Sequence, residues 1–160
     1  MKPERWQRSA SRFTVEPMRE RDLLDVVDIE EATGLNRWGL DAYKREVYTN
    51  PNSVMLVARS LDPDGGVIGF FAGWMVEDEL HVNNIAAAPE YQRIGVGRSL
   101  MEAAIDEARL RGGMFALLEV RASNYTAQSL YRGMGFTMVG RRRDYYRLPT
   151  EDAMVMKLAL

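Results

Sequence analysis

At Pro89 the spacing of apolar residues along this chain changes, and that change limits the folds open to it. Before it, "SVMLVARS" (53–60) and "VIGFFAGWMV" (67–76) are rich in β-branched and aromatic residues, and the turn-forming "DPDGG" (62–66) joins them. Glu77 to Glu79 turn into a third strand, Leu80 to Ala87, so this half reads as an antiparallel meander. Beyond Pro89, Leu100, Met101, Ala104, Ile105 and Ala108 recur at helical spacing until Gly112 and Gly113 interrupt it. The spacing predicts a helix from about Val96 to Arg111.

The flanks fit the same pattern. "TVEP" (14–17) is a short strand, and Asp22 is placed to cap a helix with Leu23, Val26 and Val27 on one face; a second helix is predicted over Leu40 to Tyr48. "FALLEV" (115–120) is a strand, "NYTAQSLYRGMG" (124–135) a helix capped by Asn124, and two last strands bracket "LPTED" (148–152). Strands first and then β-α-β-α-β give an α/β fold, a mixed and mostly antiparallel central sheet flanked by helices. At 160 residues the chain fits one domain. The polar start "MKPERWQRSASR" is expected to be a flexible tail over residues 1–12, with the domain at 13–160.

Composition removes several chemistries. A net charge of −2 provides no basic field, so nucleic acid is not an expected partner. Without cysteine there is no disulfide, thiolate metal site or cysteine nucleophile. His81 is the only histidine and no serine sits in G-x-S-x-G, so a zinc site and a serine triad both lack their parts; no metal is expected, and His81 reads as a strand residue with a satisfied imidazole. The ten methionines fall on core-like positions. No apolar run approaches the ~20 residues of a membrane span and no signal-type stretch follows the basic start, so no membrane partner and a cytoplasmic location are expected.

The stretch Gln92-Arg93-Ile94-Gly95-Val96-Gly97, followed by Arg98 and Ser99, opens the predicted helix. A dinucleotide fingerprint would need a third glycine where Leu100 stands, and no G-x-x-x-x-G-K-[ST] occurs. Two readings stay open: a plain helix start, or a cradle whose free amides and helix dipole attract an anion. Arginines at a helix N-terminus oppose the dipole, a penalty that an anion between them would reverse.

The pattern Q/R-x-x-G-x-G/A after the strand "NNIAAAPEY" resembles the acetyl-CoA motif of the GNAT superfamily of N-acetyltransferases. Residues 84 to 136 carry most of the likeness. "LEVRASN" (118–124) and "LYRGMGF" (130–136) are similar to the branch that acetylates protein N-termini, ribosomal proteins among them. A thinner likeness spans residues 14 to 158, including "RWGLDAYKREV" (37–47) and "RRRDYY" (141–146). Arg37 and Gly39 flank Trp38 where that branch commonly has Pro and Ser, and Ala88 replaces an acidic residue before Pro89.

The resemblance implies a GNAT fold and acetyl-CoA as cosubstrate. Ile85, Ala86 and Ala87 would offer main-chain groups to the pantetheine and thioester, and Gln92, Arg93, Ile94, Gly95, Val96, Gly97, Arg98 and Ser99 would hold the pyrophosphate; Asn124 and Tyr131 would also touch the cofactor. It casts Glu119 as general base and Tyr131 as the acid facing the leaving thiolate, with Trp38, Glu119, Tyr145 and Tyr146 on the acceptor side. The implied partner is a protein N-terminus, a ribosomal one foremost, acetylated with no covalent enzyme intermediate. A small amine or lysine acceptor and a non-catalytic CoA-binding module are the alternatives.

From the residues alone, Glu119 is either a strand-end charge reaching solvent or pairing with Arg121, or a functional carboxylate. As a base it faces an α-ammonium of pKa ~8 with a side chain whose reference pKa is ~4.3. The gap predicts transfer through water or partial desolvation of the carboxylate. Tyr131 should face inward, where packing alone would explain it. A phenol of pKa ~10 is a weaker acid than a thiol of ~8.5, so hydrogen bonding is the role expected unless its site lowers that value. "RRRDYYR" (141–147) reads as a solvated strand with its charges split between two faces.

Overall fold

The computed structural model describes residues 12 to 160 apart from Asn36 and Asp64. The tail expected over residues 1–12 therefore lies, but for Arg12, outside the described residues. Among the described residues seven strands form: β1 (Phe13–Pro17), β2 (Ser53–Ser60), β3 (Val67–Val76), β4 (Glu79–Ala87), β5 (Phe115–Arg121), β6 (Thr137–Tyr146) and β7 (Glu151–Ala159). Four α-helices accompany them: α1 (Leu23–Thr33), α2 (Leu40–Thr49), α3 (Val96–Leu110) and α4 (Tyr125–Gly133). The strands hydrogen-bond in the order β1-β2-β3-β4-β5-β7-β6. Pairing is mixed: β1/β2, β5/β7 and β6/β7 are antiparallel, and β4/β5 is parallel. Among the described residues, no helix is long and apolar enough to cross a membrane.

The chain packs as two compact units, one running up to Gly73 together with Asn84–Ala104, the other made of Trp74–Asn83 and Ile105–Leu160. In the first, the α1 stripe of Leu23, Val26 and Ile29 joins a buried cluster with Tyr43, Val57 and Phe70. Tyr43 meets Phe70 edge-on at 5.7 Å between ring centroids. Gly69 in β3 is needed for close packing, because a Cβ there would lie 2.6 Å from Val96 Cγ1 and 2.9 Å from Ala86 O. The strand thereby approaches the first turn of α3 more closely than any side chain would permit.

Asp22 does not cap α1 through its side chain. It is 1% exposed, its Oδ2 accepts from Arg19 N at 2.9 Å, and its Oδ1 binds Arg59 Nη2 at 2.6 Å. A short 3-10 turn, Glu20–Asp22, leads into the helix, so the carboxylate is used one turn early and by a strand arginine.

In the second unit β5 pairs along its whole length with β7, from Phe115↔Ala159 to Arg121↔Ala153. The parallel β4/β5 ladder has rungs from Glu79↔Phe115 to Val82↔Leu118, while both strands run on beyond it. β6 is exposed almost throughout, as its arginines lead one to expect, and its register against β7 breaks twice. Glu151 and Asp152, expected in the turn, belong to β7.

Candidate active site

The glycine stretch lies in the first unit. Arg93 and Gly95 both take positive φ, 64° and 92°, and nothing stands within 4 Å of a Cβ placed on Gly95. The first main-chain bond of α3's opening turn runs from Ser99 N to Gly95 O at 3.0 Å. The amides of Val96, Gly97 and Arg98 precede it and have no carbonyl one turn back in the helix, the arrangement that receives anions at helix starts. Gln92 Nε2 donates to Ala87 O at 3.3 Å and Ala88 N to Ile68 O at 2.8 Å, which ties the loop to the end of β4 beside Ile85 and Ala86. Val96 and Leu100 are buried beneath the loop and Arg98 is exposed above it, 3.6 Å from Glu102. The stretch starts a helix, and Gly95 leaves open space beside three amides that have no helical acceptor.

Trp38 also belongs to this unit, and a residue not singled out from the sequence holds it there. Glu30 is 1% exposed. Its carboxylate accepts from Trp38 N at 3.1 Å, from Gly39 N at 3.2 Å and from the Tyr43 hydroxyl. Asn84 Nδ2 donates to the same hydroxyl at 3.0 Å. Burial first, and then the bond to Glu30, push the Tyr43 phenol far above its ordinary pKa, against the opposing Asn84 bond. The Trp38 ring lies 5.3 Å from that of Tyr43.

The second unit holds the carboxylate, the phenols and the caps. In β5, Ala116, Leu118 and Val120 are buried, leaving Leu117, Glu119 and Arg121 on the half-buried face. The Glu119 side chain is 28% exposed, with Oε1 3.4 Å from Arg142 Nε. Its ion-pair partner is thus Arg142, where Arg121 is one of the alternatives the sequence leaves open. Arg121 is already engaged: its Nη1 donates to Pro149 O at 3.2 Å and Glu151 Oε1 at 3.3 Å, and its guanidinium sits 4.4 Å from the Tyr146 ring centroid.

Tyr145 and Tyr146 stand edge-to-face at 5.0 Å. Burial raises both phenols. The Glu119 charge raises both further, and Tyr131 adds to the rise at Tyr146, so these four residues form one electrostatic neighbourhood. Two carboxylates missed from the sequence shape it. Asp152 Oδ1 accepts from the amide of Asp144, held at φ 51°, and its Oδ2 from Arg141 Nε at 2.6 Å. Glu151 Oε2 accepts from Ser123 N at 2.6 Å.

Tyr131 is 7% exposed and packs 5.8 Å from Phe136, facing inward as expected. Burial pushes its phenol up to about 12. Its helix is fixed at both sides of the turn from β5: Asn124 Oδ1 accepts from Ala127 N at 3.1 Å, and Gln128 Nε2 donates to Arg121 O and Ala122 O, each at 3.0 Å. His81 Nε2 lies 3.1 Å from Glu79 Oε2.

A mixed sheet with a glycine-walled helix start after its fourth strand defines the chain as an acetyltransferase of the GNAT fold. The chain belongs to the Acetyltransferase (GNAT) family, which it matches over residues 23–136. It is 34% identical over 151 residues to the ribosomal protein bS18-alanine N-acetyltransferase of Escherichia coli K12, across 92% of this chain and 97% of the relative. It is 38% identical over 128 residues to the N-alpha-acetyltransferase RimI of Mycobacterium tuberculosis, across 78% and 77%. The crystal structure of the ribosomal-protein-S18-alanine N-acetyltransferase from E. coli matches with a TM-score of 0.80 at 33% identity, covering 92% of this chain and 93% of that one. Enzymes of this family take their acetyl group from acetyl-CoA.

Proposed function

We propose that this enzyme acetylates the N-terminal α-amine of a protein, with a ribosomal protein beginning with alanine as its acceptor, in the cytoplasm where acetyl-CoA and ribosomes meet. The observation that carries this reading is the similarity to two enzymes named for that reaction class, over 92% of this chain for one and 78% for the other. The Glu119, Tyr131, Tyr145 and Tyr146 neighbourhood supports it.

The amides of Val96, Gly97 and Arg98, with Gln92, Arg93, Ile94, Gly95 and Ser99 beside them, would hold the pyrophosphate of acetyl-CoA, and Ile85, Ala86 and Ala87 would offer main-chain groups to its pantetheine. Asn124 caps α4 with its oxygen, which leaves its amino group to the cofactor. Tyr145 and Tyr146, beside Glu119, would hold the acceptor. Glu119 takes the ammonium proton, and the freed amine attacks the thioester carbonyl directly. Tyr131 at about 12 is roughly 3.5 units less acidic than a thiol of ordinary pKa ~8.5, so full proton transfer to the departing thiolate is uphill. The phenol therefore stabilises the thiolate as a hydrogen-bond donor.

A thiol-release assay with peptides beginning with Ala, Ser, Thr or Met, run beside polyamines and free lysine, tests the proposal. Turnover is expected with the alanine peptide. Turnover confined to polyamines or lysine would overturn the acceptor, and acetyl-CoA binding without transfer to any of them would overturn the activity.

A further inference from the structure

Asn83 follows the last rung of the parallel ladder, Val82↔Leu118, as Glu119 does on the neighbouring strand. Both strands alternate regularly there, so the two side chains share the half-buried face, in line with His81 and Leu117. The Asn83 amide nitrogen is buried and has no hydrogen-bond partner among the described residues. A native chain retains a buried unsatisfied donor only against a cost, and such groups call for a specific account. Packing does not require an amide here, because the apolar residues on either side of the ladder would serve. Glu119 is the acceptor at the matching position, and its one ion pair engages Oε1.

We infer that Asn83 is a positioning residue that seats a water between its amide and Glu119, and that this water carries the acceptor's proton to the carboxylate. The inference rests on Glu119 being the base. An amide N–H can only donate, so it holds a water through one lone pair and leaves both hydrogens free. One of them is donated to Glu119, and the second lone pair receives the ammonium N–H. The ammonium proton passes to the water oxygen as the water's own proton passes to Glu119. The water is regenerated, the amine lone pair is freed for the thioester carbonyl, and the proton leaves Glu119 to solvent after the thiolate departs. The water bridges the space between ammonium and carboxylate, and the uphill transfer across their pKa gap is offset by release of the proton from Glu119 to solvent.

The experiment measures kcat and KM for acetyl-CoA and an alanine-initial peptide in wild type, Asn83→Leu, Asn83→Ser, Glu119→Gln and the Asn83→Leu/Glu119→Gln pair. In Asn83→Leu, kcat is expected to fall about tenfold or more with both KM values held, and the melting temperature to match or exceed that of wild type. Serine keeps a small donor with room for water and should recover part of kcat. On the Glu119→Gln background Asn83→Leu should have no further effect, since both act on one proton. Unchanged kcat in Asn83→Leu, additive losses in the pair, or a rise confined to peptide KM would each overturn the inference. Glu119→Gln at wild-type turnover would overturn the base itself, whereas an inactive Glu119→Gln beside a fully active Asn83→Leu would overturn only the relay.

Discussion

Glu30 in the first unit and Glu119 in the second are both glutamates beside tyrosines, yet their surroundings are built differently. Glu30 is 1% exposed and accepts from two main-chain amides and a phenol, so its carboxylate is used up in holding the chain around Trp38. Glu119 is 28% exposed and has one ion pair at 3.4 Å, with an unsatisfied amide nitrogen at the matching position of the next strand. A buried carboxylate that accepts three hydrogen bonds stabilises a fold. One with capacity left over can meet a substrate. The difference teaches that burial alone does not single out a candidate reactive acid, and that incomplete satisfaction is what sets Glu119 apart from Glu30.

The comparison breaks first at Glu30. Glu30→Ala strands the Trp38 and Gly39 amides and the Tyr43 hydroxyl, and should cost about 3 to 5 kcal/mol in urea unfolding. A loss under about 1 kcal/mol would show that the network is not structural. Glu119→Gln should do the reverse: kcat falls by roughly 100-fold or more, while stability stays within about 0.5 kcal/mol, because an exposed ion pair contributes little. Equal unfolding curves with equal turnover would remove the distinction between the two sites.

Tyr131 sharpens it on the pH axis. Its folded pKa of about 12 exceeds the ordinary value of ~10, so the folded state keeps a proton that the unfolded chain releases. That stabilisation is complete below pH ~10 and is lost as pH rises through the folded value, a change of up to about 3 kcal/mol. Tyr43 and Tyr146 shift the same way, so wild type and Tyr131→Phe should both weaken, and the wild type more steeply. Parallel curves from chemical unfolding between pH 9 and 12 would refute the burial cause. At neutral pH the variant should lose on the order of tenfold to a hundredfold in kcat with acetyl-CoA KM held.

Periodicity made most of the fold legible. The strands β2 and β3 and the start of α3 lie where spacing puts them, because alternation and helical stripes are local signals. Asn124 is equally local and caps as expected. Asp22 went to Arg59 because a strand arginine brought near by β1/β2 pairing competes for the carboxylate, which no window around residue 22 reveals. Glu119 found Arg142, 23 positions away, for the same kind of reason. Glu30 sits in the acidic run "IEEA" that looks solvated, and only the return of the chain at Trp38 and Gly39 buries it. The glycine stretch could be read as an anion site, but its cofactor came from the later "LEVRASN". Asn83 carried no sequence signal, since an unsatisfied donor is a property of its neighbours.

Among the described residues β6 closes the strand order, so one row of its main-chain groups faces no further strand there. Such a border can recruit a stranger's backbone and begin an aggregate. Three successive arginines, two slips in register and the kinked Asp144 make it a poor template, since an incoming strand would meet like charge and a backbone that does not lie flat. The strand that carries Arg142 and Tyr145 is thus guarded against the polymerisation that an exposed edge would otherwise invite.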